Sequence, residues 1–200
     1  MIIPPGEYRY EIRRGRELLA LEEERFGSGL LAGARHLPGG LNRHEIEATV
    51  DSAGVVKRVS LRYSRGPFTR SAVYDAAEEA LRGSVSALAG RNEVVVKLGR
   101  FREVDADLIL FRALMIAHVR AREQVRWTGR VAVIDSNTLV AASIKHTCHL
   151  RDATGRRWTY ETRMGEQEEI EIDGDGRIIR RTDGRGIETA LVSFAPAPPA

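Results

Sequence analysis

Two histidines and the only cysteine of this 200-residue chain lie close together in the segment KHTCHLRD, residues 145–152. If this segment is a strand, alternation places His146 and Cys148 on one face and His149 on the other. A structural zinc site needs about four ligands in tetrahedral geometry, and one strand face does not supply them. Thiol catalysis needs a base within hydrogen-bonding distance of the sulfur, and His149 points away. The segment therefore predicts ordinary strand residues, with no metal site and no catalytic residue.

A second group of candidate ligands is acidic. Glu103, Asp105 and Asp107 alternate along EVDAD, and carboxylate oxygens are the ligands that hard divalent cations prefer. The same residues precede a long apolar segment, and acidic side chains at the start of a helix stabilise it. We therefore interpret EVDAD as the beginning of a helix, with Asp105 as the N-cap, and predict no metal site.

The glycine-rich stretches predict turns. DGDG, residues 173–176, resembles half of a calcium-binding loop but lacks the later ligands and the closing glutamate. GSGLLAG, residues 27–33, and GRGIETA, residues 184–190, lack the lysine and the strand–helix context of a phosphate-binding loop. No cofactor is predicted.

Length and composition predict one folded domain, residues 1–194, because a chain with 42% hydrophobic residues can bury a substantial core. Residues 195–200, APAPPA, form a proline and alanine tail that we expect to fray. A single cysteine excludes an intrachain disulfide. The longest nearly apolar run, residues 106–119, is interrupted by Asp107 and Arg112 and is too short to span a membrane. No secretory signal begins the sequence, so we expect a cytoplasmic protein unless a leader has been removed.

The charge pattern is mixed. The 31 basic and 28 acidic residues are interspersed, which is typical of a solvated surface. The arginines are spread over many predicted strands without the stacking aromatics of a single-strand binding surface, so no specific nucleic-acid partner is predicted. An interaction module that uses an arginine-rich convex sheet face for an acidic partner is kept as an alternative. Steep weakening of binding with salt would identify it.

Most of the sequence is typical of an antiparallel meander, because short alternating runs are separated by turn signals such as DSAG, SRGP and AGRN. In residues 55–64, for example, Val59, Leu61 and Tyr63 share one face. Residues 15–26, GRELLALEEERF, favour a helix locally, whereas their neighbours favour a strand. Strands are predicted at residues 7–13, 44–50, 55–64, 68–76, 80–88, 93–98, 125–133, 138–150 and 158–163, with three more short ones in 168–194.

Residues 105–123, DADLILFRALMIAHVRARE, predict a helix that is apolar nearly all round. Such a helix must be covered on nearly all sides. A flat sheet covers only one side, whereas about ten strands are enough to curl around it. We therefore predict a mostly β protein, in which a strongly curved antiparallel sheet forms an open, unclosed barrel wrapped around one central α-helix.

This order of elements resembles that of the LolA/LolB lipoprotein carriers and of related bacterial families of unknown function. The shared features are meandering strands, a buried helix near the middle, and further strands ending in the hairpin DGDGRIIRRTDG. The resemblance covers residues 6–194 and rests on element order. It implies an unclosed barrel whose concave face and enclosed helix hold an acyl chain.

Apolar walls with a few polar tips are typical of a small-molecule pocket. We expect eight side chains of the helix and the strands to converge inside the curved sheet: Tyr63, Tyr74, Phe111, Met115, His118, Trp127, Trp158 and Tyr160. The predicted function is non-catalytic binding of a lipid or other hydrophobic small molecule. The opposing interpretation is that these residues pack against one another as part of the hydrophobic core and form no pocket. A further alternative is a small-molecule enzyme that uses His118 or the pair His146 and Cys148.

Overall fold

Strands make up most of the chain. A computed structural model describes residues 3–40, 42–88, 90–100, 102–162 and 165–198, and these contain one helix, α1, Ile109–Ala121. The same residues contain fifteen strands: β1 Gly6–Arg14, β2 Glu17–Gly27, β3 Leu30–His36, β4 Asn42–Val50, β5 Val56–Arg65, β6 Phe68–Ala76, β7 Ala80–Ala87, β8 Gly90–Lys97, β9 Val104–Asp105, β10 Arg126–Ile134, β11 Ala141–Leu150, β12 Arg157–Thr162, β13 Gln167–Ile172, β14 Ile178–Asp183 and β15 Ile187–Pro196.

These strands form one large sheet that is not closed. From edge to edge the order is β8, β7, β6, β5, β4, β3, β2, β1, β15, β14, β13, β12, β11, β10, β9. Neighbours are antiparallel, except that the short β9 pairs in parallel with β10. The chain termini meet in the middle of the sheet, where β1 pairs with β15. The prediction of a mostly β protein with one helix and one open sheet is confirmed.

The sheet curves until its two halves come into contact. The edge strand β8 approaches β11 without pairing with it. The hydroxyl of Tyr74 on β6 donates to the carbonyl oxygen of Leu139, 2.6 Å away in the β10–β11 turn. Arg70 on the same strand donates to the carbonyl oxygen of Asn137 in that turn, at 3.1 Å. Side chains therefore join the two halves at the seam, where β8 and β11 do not pair.

Alternation explains most of the strands. Tyr8, Tyr10 and Ile12 of β1 are buried, whereas the alternate residues Glu7 and Arg9 lie on the outer face. The ambiguous residues 15–26 form the end of the β1–β2 turn and, from Glu17 onward, the strand β2. Its alternation was concealed because two of its inward-facing residues, Glu22 and Glu24, are charged types in a buried position.

Strand β3 was not predicted, because its glycine and alanine residues have weak strand propensity. The first glycines of GSGLLAG do form the β2–β3 turn, but the strand begins at Leu30. A Cβ atom at Gly33 would lie 2.6 Å from a methyl carbon of Leu108, so glycine allows β3 to approach the beginning of the helix closely. At the other end of the chain, β15 continues two residues past the predicted domain end at residue 194.

The beginning of α1 was predicted wrongly. The N-cap is Leu108, whose side chain makes no capping hydrogen bond, and Asp105 belongs to β9. The first backbone N–H groups of the helix instead donate to strand β2. Ile109 N–H donates to Glu22 Oε1 at 3.1 Å, and Leu110 N–H donates to Glu24 Oε2 at 3.1 Å. Unpaired N–H groups at a buried helix end need such acceptors.

The two glutamates differ in their surroundings. Glu22 is fully buried and accepts hydrogen bonds from the guanidinium of Arg35, with 2.6 Å between Nη2 and Oε2. Burial raises the pKa of Glu24 well above its usual value, and the adjacent Glu22 carboxylate raises it further. Glu24 therefore favours its protonated form at this helix end.

We expect Glu22→Ala to destabilise the protein by about 3 kcal/mol or more, because it leaves the partly buried Arg35 and the buried Ile109 N–H without this acceptor. Urea unfolding measures the change. The matched control is Glu23→Ala, since Glu23 is exposed on the opposite face of the same strand. The control should change the free energy of unfolding by about 0.5 kcal/mol or less. Equal losses in the two variants would refute this account of the helix end.

Candidate functional site

The three acidic side chains of EVDAD each pair with a different cationic side chain. Glu103 Oε1 lies 2.9 Å from His118 Nδ1, and Asp107 Oδ2 lies 2.7 Å from Arg35 Nη1. Asp105 pairs with Arg112 of the helix. Their role is therefore ion pairing across the interior. In the part of the chain that the structure describes, no group of three or more histidine, cysteine or acidic side chains is arranged to hold a metal ion.

Arg112 is the centre of a buried charged cluster. Besides pairing with Asp105, its Nε donates to Glu168 Oε2 on β13 at 3.2 Å. Its guanidinium carbon lies 4.1 Å from the centre of the Tyr160 ring on β12. The register of β12 and β13 pairs Tyr160 directly with Glu168, so the sheet presents both groups to the same face of the helix. Arg181 Nη2 on β14 completes the cluster, 2.6 Å from Glu168 Oε1.

The cluster favours the ionised form of Glu168. Burial alone would raise the pKa of Glu168, but the positive charges of Arg112 and Arg181 outweigh it and lower that pKa below its usual value. The guanidinium groups stay protonated because arginine does not lose its proton in proteins. The charges of the cluster are thus matched within the protein.

His146 and Cys148 lie side by side on the inner face of β11, as their spacing predicted. His146 Nδ1 contacts the hydroxyl of Tyr160. Burial lowers the pKa of His146 to about 4, so the imidazole is neutral at neutral pH. Burial raises the pKa of Cys148 to about 12, and this side chain has no exposed surface. A thiolate nucleophile is therefore strongly disfavoured here.

A cavity of about 740 Å³ adjoins the cluster. It opens at one end of the barrel, between the β10–β11, β12–β13 and β14–β15 turns. Three buried polar atoms in its lining residues have no hydrogen-bond partner within the described part of the chain: His146 Nε2, Thr162 Oγ1 and Arg181 Nε. Buried polar groups are almost always paired, so three together require an explanation. The apolar part of the lining includes Val133 and Ile144.

The eight predicted ligand-binding residues lie elsewhere in the interior. Six of them belong to the hydrophobic core, His118 is buried outside it, and the half-buried Tyr63 packs against the core. None is among the residues that line the 740 Å³ cavity. The polar tips of several have partners in the protein: Trp158 Nε1 donates to the carbonyl oxygen of Gly155 at 3.1 Å, and His118 Nε2 lies 2.9 Å from that of Ala53. Ligand binding by these eight residues stays a prediction.

Sequence reasoning did not select Arg112, Thr162, Glu168 or Arg181. One signal was present, since Arg112 interrupts an otherwise apolar stretch of the helix, where an unpaired charge would be costly. The strand residues gave no comparable signal, because charged and hydroxyl side chains are common on strands with one wet face.

Two solved structures share this fold. A protein of the DUF1089 family from Pseudomonas aeruginosa is 15% identical, with a TM-score of 0.60 over 80% of this chain and 87% of its own. A β-barrel-like protein with a domain of unknown function, DUF1849, from Brucella abortus is 10% identical, with a TM-score of 0.59 over 98% of each chain. No family model and no curated protein matches the sequence. At these identities the likeness shows the fold alone, and it fits the open barrel.

His118 provides a pH-dependent contact. Burial opposes its charge, but the hydrogen bond and the negative charge of Glu103 outweigh burial and raise the pKa of His118 above 6.5. A raised pKa stabilises the folded state below about pH 6.5, and this stabilisation is lost as the pH rises through the folded-state value. We therefore expect His118→Gln to reduce the loss of stability between about pH 6 and pH 8. Chemical denaturation across this range measures it.

The matched control for that series is His149→Gln, on the outer face of β11. It should retain the pH dependence of the unaltered protein. If both variants behave alike, His118 is not the titrating group.

Cys148 should be inert in the folded protein. A thiol reagent such as Ellman's reagent reacts with the thiolate and must reach the sulfur. Burial raises the pKa of the thiol and also blocks access to it. We expect negligible labelling under native conditions and complete labelling in denaturant. Fast native labelling would contradict the buried, protonated thiol and would support the thiol-enzyme alternative.

Proposed function

We propose that this protein is a non-catalytic binding protein, in which the curved sheet encloses the helix and holds a small molecule in the 740 Å³ cavity at one end of the barrel. The observation that carries the proposal is the set of three buried polar atoms that have no hydrogen-bond partner among the residues that the structure describes, His146 Nε2, Thr162 Oγ1 and Arg181 Nε, in residues that all line this cavity. An unpaired buried polar atom costs about 1–3 kcal/mol. A bound molecule that pairs with these atoms would recover that cost.

The lining supports a small molecule with both polar and apolar parts. Arg181 Nε is a donor, the Thr162 hydroxyl can donate or accept, and His146 is neutral. Val133 and Ile144 provide apolar contact. The guanidinium groups in the cluster already have carboxylate partners, so the cavity does not need a ligand charge to balance it.

Binding is favoured over catalysis by the same groups. The side chains that would have to act as base or nucleophile, His146 and Cys148, are both held in their neutral forms by burial. His146 has only weak basicity, and the Cys148 sulfur is inaccessible. A lining whose buried charges are paired with one another, and in which three polar atoms have no partner among the described residues, suits recognition of a ligand.

An acyl chain, as the likeness to the LolA/LolB carriers implies, is the second candidate for the ligand. It would lie along Phe111, Met115 and Trp127, which now pack within one continuous hydrophobic core. Entry of such a chain would require these side chains to separate from one another. The geometry therefore favours the cavity as the binding site, and an acyl chain in the core stays a prediction.

The test is native and denaturing mass spectrometry of the freshly purified protein, with organic extraction of any released compound. We expect a non-covalent mass in the native spectrum that the Thr162→Val variant loses or retains weakly. The same variant should leave the ligand-free protein as stable as before or up to about 1 kcal/mol more stable, because it removes an unpaired hydroxyl.

Thr128→Val is the matched control, since the Thr128 hydroxyl is paired with that of Thr147 on the outer face, at 3.1 Å. This variant should retain the bound mass. The proposed function would be refuted by two results together. The purified protein would show no bound compound in the native spectrum, and no compound of a metabolite library would raise its melting temperature. A fatty-acid or phospholipid mass retained by Thr162→Val would favour the core site instead.

A further inference from the structure

Two neighbouring hairpin tips expose large apolar side chains. The β5–β6 tip carries Phe68, which is 59% exposed, and the β7–β8 tip carries Leu88, which is 83% exposed. Strands β5, β6, β7 and β8 are consecutive in the sheet, so both tips lie at the same end of it. Large apolar side chains at adjacent exposed turns mark a contact surface more often than single scattered ones do.

The charges of these tips have one sign. Residues 64–70, SRGPFTR, and residues 86–92, SALAGRN, contain three arginines, Arg65, Arg70 and Arg91, and no acidic residue. All three arginines are exposed. The turns at the opposite end of the same strands contain Asp51 in β4–β5 and Glu78 and Glu79 in β6–β7. In a chain whose charges are otherwise interspersed, this separation is local to one end of the sheet.

We propose that the β5–β6 and β7–β8 tips dock on an anionic membrane surface, with Phe68 and Leu88 inserted at the interface and Arg65, Arg70 and Arg91 at the level of the lipid head groups. Apolar and basic side chains presented together are what interfacial membrane binding uses. A nucleic acid or an acidic protein would pair with the arginines but would leave the exposed Phe68 and Leu88 without an apolar partner. The observations therefore favour the membrane.

Docking in this way would bring the cavity mouth towards the membrane. The strand registers place the β5–β6, β7–β8, β10–β11, β12–β13 and β14–β15 turns at one end of the barrel. Arg70 also contacts the carbonyl oxygen of Asn137, a residue that lines the 740 Å³ cavity. The inference does not depend on the identity of a ligand in that cavity.

The test is co-sedimentation of the full-length protein with vesicles of phosphatidylcholine alone and with vesicles that also contain phosphatidylglycerol. We expect binding to the anionic vesicles that weakens with salt. The double variant Arg65→Gln, Arg91→Gln should weaken it about twenty-five-fold, at about fivefold for each arginine. The double variant Phe68→Ser, Leu88→Ser should weaken it at least about tenfold, because it removes the inserted apolar surface.

Matched controls lie at the opposite end of the barrel. Val125→Ser replaces an apolar side chain that is 65% exposed, and Arg126→Gln, Arg151→Gln removes the same charge as the arginine variant. Both controls should bind vesicles as the unaltered protein does. The proposal is overturned if the unaltered protein does not bind anionic vesicles, if the controls lose binding equally, or if a single-stranded RNA oligonucleotide binds more tightly than the vesicles and competes with them.

Discussion

The structure depends on satisfying the polar groups that the helix carries into the interior. At the start of α1, the backbone N–H groups of Ile109 and Leu110 have no partner within the helix. Farther along, Arg112 carries a guanidinium and His118 an imidazole. Carboxyl oxygens of Glu22 and Glu24 accept from the two N–H groups, Asp105 and Glu168 pair with the guanidinium, and Glu103 pairs with the imidazole. Leaving any of these groups unpaired in the interior would cost more free energy than most apolar contacts contribute. The helix therefore fits the sheet in one orientation, in which every charge has its partner.

These partners come from both halves of the sheet, which explains how an unclosed barrel keeps its shape. Glu22 and Glu24 belong to β2 on one side of the central β1–β15 pair, and Glu168 belongs to β13 on the other. Hydrogen bonds of α1 thus reach both halves of the sheet, while Tyr74 and Arg70 join them to the β10–β11 turn at the open seam. Among the described residues, β8 and β11 do not pair through their backbones at that seam. Side-chain hydrogen bonds and the contacts of α1 therefore hold the two halves together.

The same arrangement limits where a ligand can bind. Most of the interior is filled by the helix and the core side chains around it, and the charged cluster separates this core from the cavity at the barrel end. The polar atoms that have no partner among the described residues, His146 Nε2, Thr162 Oγ1 and Arg181 Nε, occur at that boundary, near the turns that border the cavity. The exposed apolar and arginine side chains of two hairpin tips lie at this end as well. Both candidate contacts with other molecules are therefore at the same end of the barrel.

Alternation of apolar and polar residues by itself determined most strands, as in β5 and β6, because a sheet with one buried face repeats every second residue. The helical period determined α1 within the segment 105–123. Only the tertiary structure decided the role of EVDAD, the strand state of residues 17–27 and the partners of Arg112. Glu168 is 56 residues from Arg112, and Glu22 is 87 residues from Ile109. Which charges meet depends on the register and curvature of the whole sheet, and a local pattern contains no information about either.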